Sequence, residues 1–194
     1  MSMKKAIINC TGVIIAILIA AIMFSCEYKE IASADYPEPM LYFPVAYNGI
    51  YVIDELTKDE PNNPTKGSVY RYKIDPETGN FDIPLAGYRS GLNPGPEVSI
   101  SISADTDTVF SLIAGGELPD VKILPENTYS IVSPDLKMKN GGTLAEFKVS
   151  VNFAFLQGNT PQKYAFALKI SSSEQKINPD LDTVIVLIDT KIIN

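Results

Sequence analysis

The residue with the best-defined chemistry is Cys26, whose thiol can be acylated. Lys4 and Lys5 precede an apolar run, 13–24, and Ser25 stands directly before the cysteine. A charged start, an apolar core and a small residue at the cut describe a secretory signal. A cysteine right after that small residue is typical of a lipoprotein signal, in which the thiol carries lipid and becomes the new N-terminus. The sequence therefore predicts lipidation at Cys26 and a domain tethered to a bacterial envelope.

The same segment allows a second interpretation, an uncleaved membrane anchor. Residues 6–24 carry no charge, and about 20 apolar residues are enough to span a bilayer. However, Asn9, Thr11 and Gly12 dilute the start of this stretch, and its dense core of about 12 residues fits the apolar part of a signal peptide. Both interpretations place the rest of the chain outside the cytoplasm.

Tyrosine is the second residue type with a binding chemistry. The chain has 10 tyrosines and no tryptophan, and an exposed tyrosine offers a flat apolar ring with a polar tip. Tyr47 and Tyr88 stand near predicted turns, where a ring could stack on a sugar, so we predict them as ligand-binding residues. The alternative for both is a structural role, such as a hydroxyl group that anchors a corner. Four others lie in strand patterns and are expected to pack in the core or across strands: Tyr42, Tyr70, Tyr72 and Tyr164.

Carboxylates cluster at three places, Asp105 with Asp107, Asp180 with Asp182, and the segment 54–60. Paired carboxylates held at a defined separation can hydrolyse glycosides, and carboxylate oxygens can bind calcium. None of the three clusters has the spacing of an EF-hand loop. We interpret them as solvated turns, with adventitious or structural calcium as the alternative. The sequence predicts no catalytic residue, no metal site and no cofactor.

Several classes of function are excluded by what the chain lacks. It has no histidine, which excludes Ser-His-Asp triads and histidine zinc sites. Its two cysteines are Cys10, inside the signal, and Cys26, so the exported part has no thiol left for a disulfide or a nucleophile. The net charge is −7 and no basic cluster is present, so nucleic acid is not an expected partner. We therefore expect a protein that is not an enzyme.

Three segments divide the chain. Residues 1–25 form the predicted signal peptide. Residues 26–39 are polar and end in Pro37-Glu38-Pro39, and proline stiffens such a spacer, so this segment is predicted as a tether. Residues 40–194 have the length of one domain and can bury a core without disulfides.

Apolar residues of the predicted domain alternate with polar ones. Val98, Ile100 and Ile102 alternate with serines, which predicts a strand with one buried face. The longest alternating run, 147–155, is predicted to face the same core. The last predicted strand, 183–189, is apolar on both faces, as expected of a strand at the centre of a sheet.

Turn and helix signals complete the fold prediction. Asn48-Gly49 between two apolar runs predicts a hairpin. Pro84 is expected to interrupt a strand over 81–89, and 107–118 is the one predicted helix. Roughly nine short strands separated by turns indicate an all-β fold, an Ig-like β-sandwich of antiparallel strands with one short helix.

Three groups of residues occur in an order that we know from one family: Tyr88-Arg89-Ser90-Gly91, Leu124-Pro125-Glu126 before Tyr129, and Ile177-Asn178-Pro179-Asp180. Together with the strand that follows them, they resemble the immunoglobulin-like domain of unknown function in Bacteroidetes surface lipoproteins. The resemblance covers nearly all of residues 40–194. It implies a domain that sits directly after the lipidated cysteine, often ahead of a glycan-binding or glycoside hydrolase module. The motifs themselves specify turns and a corner, not a site.

The resemblance and the residues together predict a function class. We expect a lipid-anchored, non-enzymatic accessory protein of the bacterial outer membrane, exposed at the cell surface and engaged in glycan binding or scaffolding. Its expected partners are the membrane, through the N-terminal lipid, and polysaccharide or other outer-membrane glycan-uptake proteins. The alternative is an adhesin or fimbria-like structural subunit, a class that also uses lipidated β-sandwiches.

Overall fold

Short strands dominate the computed structural model of the chain, which describes residues 36–60, 70–92 and 95–193. Cys26, the predicted signal peptide and most of the predicted tether lie outside the described residues. The strands are β1 (Leu41–Tyr42), β2 (Ile50–Ile53), β3 (Lys73–Asp75), β4 (Asn80–Arg89), β5 (Val98–Ala104), β6 (Val121–Ile123), β7 (Tyr129–Val132), β8 (Asp135–Met138), β9 (Leu144–Asn152), β10 (Lys163–Ser171) and β11 (Thr183–Asp189). The described helices are α1 (Thr106–Ala114) and α2 (Phe153–Gly158), with 3-10 turns at Pro44–Asn48, Glu126–Thr128 and Thr190–Ile193.

These strands form two sheets around one core, which confirms the predicted all-β sandwich. The first sheet has the order β1-β4-β9-β7, and β3 also pairs with β4. The second has the order β2-β11-β10-β5-β8, and β6 also pairs with β10. Neighbours are antiparallel, as predicted, except that β2 runs parallel to β11 and β6 runs parallel to β10.

The alternating residues meet between the sheets. Val98, Ile100 and Ile102 of β5 belong to the same buried cluster as Phe147, Val149 and Val151 of β9. Burying each large apolar side chain contributes about 1.5–3 kcal/mol. The two sheets approach closely at Gly87 on β4, where an added Cβ would lie 3.0 Å from Ile170 Cδ1 on β10.

A smaller cluster covers the outer face of the second sheet. Helix α1 places Val109 against Ala165 and Ala167 of β10, whose small side chains leave room for a helix. Ile185 and Leu187 of β11 pack against the same cluster. This explains why β11, which lies between β2 and β10 as predicted for a central strand, is apolar on both faces.

The hairpin predicted at Asn48-Gly49 is wrong. The strands on either side of it lie in different sheets, β1 in the first and β2 in the second. Pro44 occupies the first turn of the 3-10 segment Pro44–Asn48, and because proline has no N–H it favours such a start over a strand ladder. Gly49 does adopt the positive φ that the turn signal implies, +78°.

Two further predictions are corrected by local side chains. The alternating run ends at Asn152, whose side chain accepts a hydrogen bond from Phe155 N at 3.0 Å and caps α2, so Phe153 and Phe155 lie in a second helix. Pro84 does not interrupt β4, which continues on both sides of it and pairs with β9 through Pro84 and Lys148. β1 and β3 pair only with the two ends of β4.

Candidate ligand-binding groove

The end of β4 directs neighbouring side chains to opposite sides of the sheet. Tyr88 and Arg89 pair with Tyr42 and Leu41 of β1. Because successive strand residues alternate between faces, Arg89 and Leu41 point inward, each 0% exposed. Tyr88 and Tyr42 share the outer face, where their rings meet edge to face with centroids 5.3 Å apart.

Strand β1 is held along both edges. On one side Ser90 N donates to Met40 O, and Met40 N donates to Ser90 Oγ, both at 2.9 Å. On the other side Leu41 N donates to Lys176 O, and Asn178 N donates to Leu41 O, again at 2.9 Å. Two of the family-like motifs, around Ser90 and Asn178, therefore fix the position of β1.

The 3-10 turn after β1 presents Tyr47 to solvent. Phe43 and Val45 on either side of Pro44 are buried in the core, which anchors the turn from below. Tyr47, by contrast, is 80% exposed. Such exposure leaves the Tyr47 ring open to solvent, and its predicted role in ligand binding stays a prediction.

An open groove of about 700 Å³ lies over β1 and this turn. Ligand sites usually have volumes of roughly 300–1,000 Å³. The groove is lined by Pro37, Glu38, Met40, Tyr42, Pro44, Tyr47, Asn48, Ser90, Asn178 and Leu181. Tyr47 is thus a lining residue, as is Tyr42, whereas Tyr88 does not line the groove but supports the Tyr42 ring.

Two aromatic rings and several neutral polar groups line the groove. Burial first, and the neighbouring Tyr88 second, raise the pKa of Tyr42 above its ordinary value, so its hydroxyl stays protonated at neutral pH and can donate. Asn48 and Asn178 add amide groups that can both donate and accept. Among the described lining residues Glu38 is the one carboxylate, and none is a lysine or arginine.

Sequence reasoning treated Tyr42 as a packing residue and missed the contribution of Asn48 and Asn178. Tyr42 does pack, against Tyr88, but its position in β1 also exposes it to the groove. Of the other tyrosines assigned to packing, Tyr164 is buried and Tyr72 stacks on Phe81 with centroids 4.5 Å apart. Tyr70 is 60% exposed and lies before β3 rather than within it, so it is neither a core residue nor part of that strand.

Arg89 has a structural role that the sequence did not disclose. Its guanidinium donates to four backbone carbonyls, with Nη1 2.7 Å from Pro96 O and Nη2 2.8 Å from Gly142 O. Longer contacts reach the carbonyls of Gly95 and Lys139. A buried cation without hydrogen bonds would be costly, and here the fork of donors joins two turns that are distant in sequence.

The clustered carboxylates take part in turns and ion pairs. Asp105 accepts from Thr108 N at 3.2 Å and caps α1. Asp182 lies 3.4 Å from Lys169 Nζ, and Asp54 accepts from Thr57 N at 2.9 Å. In the described ranges no group of three or more acidic or cysteine side chains could hold a metal ion, and no helix there is long and apolar enough to cross a membrane.

Comparisons with known proteins agree with this fold. A crystal structure from Bacteroides ovatus, provisionally described as a carbohydrate binding protein, is 13% identical with a TM-score of 0.53, over 77% of this chain and 36% of that one. A two-domain protein of unknown function from Bacteroides fragilis is 10% identical with a TM-score of 0.51, over 78% and 45%. EndoBT-3987 of Bacteroides thetaiotaomicron, solved with a Man5GlcNAc product, is 17% identical with a TM-score of 0.45, over 56% and 26%. This chain therefore spans less than half of the length of these proteins.

The family comparison covers most of the domain. No protein of curated function matches the chain. A family model described as an N-terminal domain matches residues 43–177, a segment that contains two of the three sequence motifs in full and ends at the start of the third. This match spans more than half of the chain, and with the Bacteroides neighbours it confirms the resemblance found in the sequence: the protein belongs to this family of N-terminal domains.

Proposed function

We propose that this protein is a glycan-binding accessory domain, held on the outer surface of a Bacteroidetes cell by lipid on Cys26. The observation that carries the proposal is the groove in which Tyr47, 80% exposed, stands on an anchored turn beside Tyr42. The similarity in fold to a protein provisionally described as carbohydrate binding supports glycan as the ligand class to test.

The groove suits the two kinds of contact that a sugar ring offers. The apolar C–H face of a sugar can stack on the ring of Tyr47 or Tyr42, as apolar groups do on aromatic faces. Its hydroxyl groups can exchange hydrogen bonds with the amides of Asn48 and Asn178 and with the Glu38 carboxylate. Because the groove is open and the chain has no tryptophan, we expect the groove to bind a glycan chain weakly.

The same groove gives no basis for cleavage. Most glycoside hydrolases use two carboxyl groups that flank the scissile bond, about 5–9.5 Å apart. Glu38 is the one carboxylate among the described lining residues, so these residues do not supply such a pair. The proposed role is therefore capture of polysaccharide without hydrolysis.

The binding proposal is tested with the full chain purified in detergent. Native affinity electrophoresis in gels that contain soluble polysaccharides should show retardation, and Tyr47→Ala should reduce binding at least about tenfold. Phe110→Ala is the matched control, because Phe110 is a comparably exposed ring, 63%, on α1. Circular dichroism of each variant checks that the fold is intact. Absence of binding to any polysaccharide, or polymerisation through the groove instead, would contradict the proposal and favour the structural-subunit alternative.

The lipid anchor is tested by metabolic labelling with a fatty acid. Cys26→Ala should abolish the label and release the protein from membranes, whereas Cys10→Ala, which removes the chain's other cysteine, should retain both. Retained label in Cys26→Ala would place the modification elsewhere. Retained membrane association without label would support the uncleaved anchor.

A further inference from the structure

We propose that the groove selects uncharged polysaccharide chains and rejects polyanionic ones. This inference rests on the proposed glycan-binding function and adds the chemical class of the glycan. It follows from the charges near the two aromatic rings of the groove.

The only charge contributed by the described lining residues is negative. Glu38 is exposed at the edge of the groove that Pro37 and Met40 also line. A uronic acid or sulfate group on the ligand would face this carboxylate with no cation in the lining to offset it. Like charges placed opposite each other at an interface disfavour binding strongly, and the surplus of acids over the whole chain acts in the same direction.

One cation near the turn, Arg71, is already engaged. Arg71 shares a separate small cavity with Asn48. Its Nη2 is 2.6 Å from Glu60 Oε2, and its guanidinium carbon lies 4.9 Å from the centroid of the Tyr51 ring. Arg71 is therefore already paired with an acidic side chain of this protein.

Neutral sugars, by contrast, can form hydrogen bonds with polar groups that line the groove. Glu38 can accept a hydrogen bond from a sugar hydroxyl, and a charged acceptor makes such a bond stronger. Asn178 Oδ1 accepts from Asp180 N at 3.0 Å, and its amide nitrogen donates to no residue in the described part of the chain. A hydroxyl-rich, uncharged ligand is therefore complementary where an anionic one is not.

Affinity electrophoresis with the detergent-solubilised full chain tests this choice. The neutral probes are soluble starch and yeast mannan, and the anionic probes are polygalacturonate and heparin, all at low ionic strength, where charge effects are largest. We expect binding to at least one neutral probe that is lost in Tyr47→Ala, and binding to the anionic probes at least about tenfold weaker.

Charge variants separate the groove from the overall charge of the protein. Glu38→Lys should bind polygalacturonate at least about tenfold more tightly than the native protein, and this gain should fall in 0.5 M salt. Glu117→Lys, an equal change in net charge at an exposed residue outside the groove, should bring little gain. Glu38→Gln should keep binding to the neutral probe.

The outcomes distinguish the two proposals. Anionic probes that bind the native protein as tightly as neutral ones, in a manner that depends on Tyr47, would overturn the charge selection and leave the glycan-binding function standing. Equal gains from Glu38→Lys and Glu117→Lys would overturn the role of the groove in selection. Failure of every probe to bind would overturn the proposed function itself.

Discussion

The motif Tyr88-Arg89-Ser90 at the end of β4 has a closed, hydrogen-bonded inner side and an open outer side. On the inner side Arg89 is 0% exposed and its donors are bound to carbonyls of two turns. On the outer side Tyr88 supports Tyr42, and Ser90 lines an open groove whose most exposed ring, Tyr47, is 80% exposed. On the inner side the donors of Arg89 are buried and hydrogen-bonded, whereas the outer side is open to solvent.

This difference teaches how a family motif can be structural and still lie beside a site. Because side chains alternate between the two faces of a strand, Arg89 points inward and its neighbours point outward. The strand end that places Arg89 against the two turns therefore also places Tyr88 and Ser90 on the side of the groove. An exposed lining residue such as Tyr47 can then change with little effect on the fold. The following predictions test that separation, beginning with the largest effect.

Val151→Asp should have the largest effect on stability. Val151 is 0% exposed and lies opposite Phe81 in the first sheet, so an aspartate there would be a buried, unpaired charge. We expect a loss of about 4 kcal/mol or more in the free energy of unfolding, measured by urea denaturation, or failure to fold.

Lys148→Asp is the control on the opposite face of the same strand. Lys148 Nζ lies 2.6 Å from Asp82 Oδ2, with side-chain exposures of 43% for Lys148 and 13% for Asp82. The variant removes this pair and places a second carboxylate beside Asp82, so we expect a loss of about 1–2 kcal/mol. Losses of equal size in the two variants would contradict the assignment of the faces.

Arg89→Met should lower the free energy of unfolding by about 3–5 kcal/mol, because the carbonyls of Gly142 and Pro96 lose their donors in the interior. Arg71→Met is the matched control at the chain's other arginine. Its side chain is 18% exposed and its partner Glu60 is 54% exposed, so we expect a loss of about 1 kcal/mol. Thermal or urea unfolding measures both variants. Similar losses would show that the buried hydrogen bonds of Arg89 stabilise the fold no more than the exposed ion pair of Arg71.

Tyr42→Ala should cost about 1–2 kcal/mol, because it removes the edge-to-face contact with Tyr88 together with some apolar burial. It should also weaken glycan binding, since Tyr42 lines the groove. Unchanged stability in this variant, measured by urea denaturation, would mean that the contact between Tyr42 and Tyr88 does not stabilise the fold.

Tyr47→Ala should lower the free energy of unfolding least among these variants, by about 0.5 kcal/mol or less, because the ring is 80% exposed. The same variant should have the largest effect on binding. A large loss of stability, seen as a shifted unfolding midpoint, would show that Tyr47 is part of the fold and would remove the contrast between the two sides.

Local patterns in the sequence were enough to predict most of the sandwich. The alternation at Val98, Ile100 and Ile102 identified both the strand and its buried face. The strand Asp135–Met138 was missed although its burial alternates, because four residues are too few to separate it from the turns on either side. The hairpin prediction failed because Pro44 starts a 3-10 turn at the point where the sequence pattern predicted a continuing strand.

The groove was less predictable than the fold for a physical reason. Tyr47 could be found because it lies next to a turn signal in the chain. The exposure of Tyr42 to the same groove depends on how β1 is bonded to Ser90 and to Asn178, which lie far away in sequence. Such contacts between residues distant in sequence form only in the folded chain, and the local sequence around Tyr42 does not predict them.

The bonding of β1 also has a mechanical consequence. This strand is the first element of the described chain, and it is bonded on one edge to the β4 side and on the other to residues 176–178. With the proposed lipid anchor at the N-terminus, tension along the chain would load β1 before any other described strand. The residues that fix β1 would then hold the domain under drag, and the groove, which is built on β1 and its turn, would be distorted before the core between the sheets begins to open.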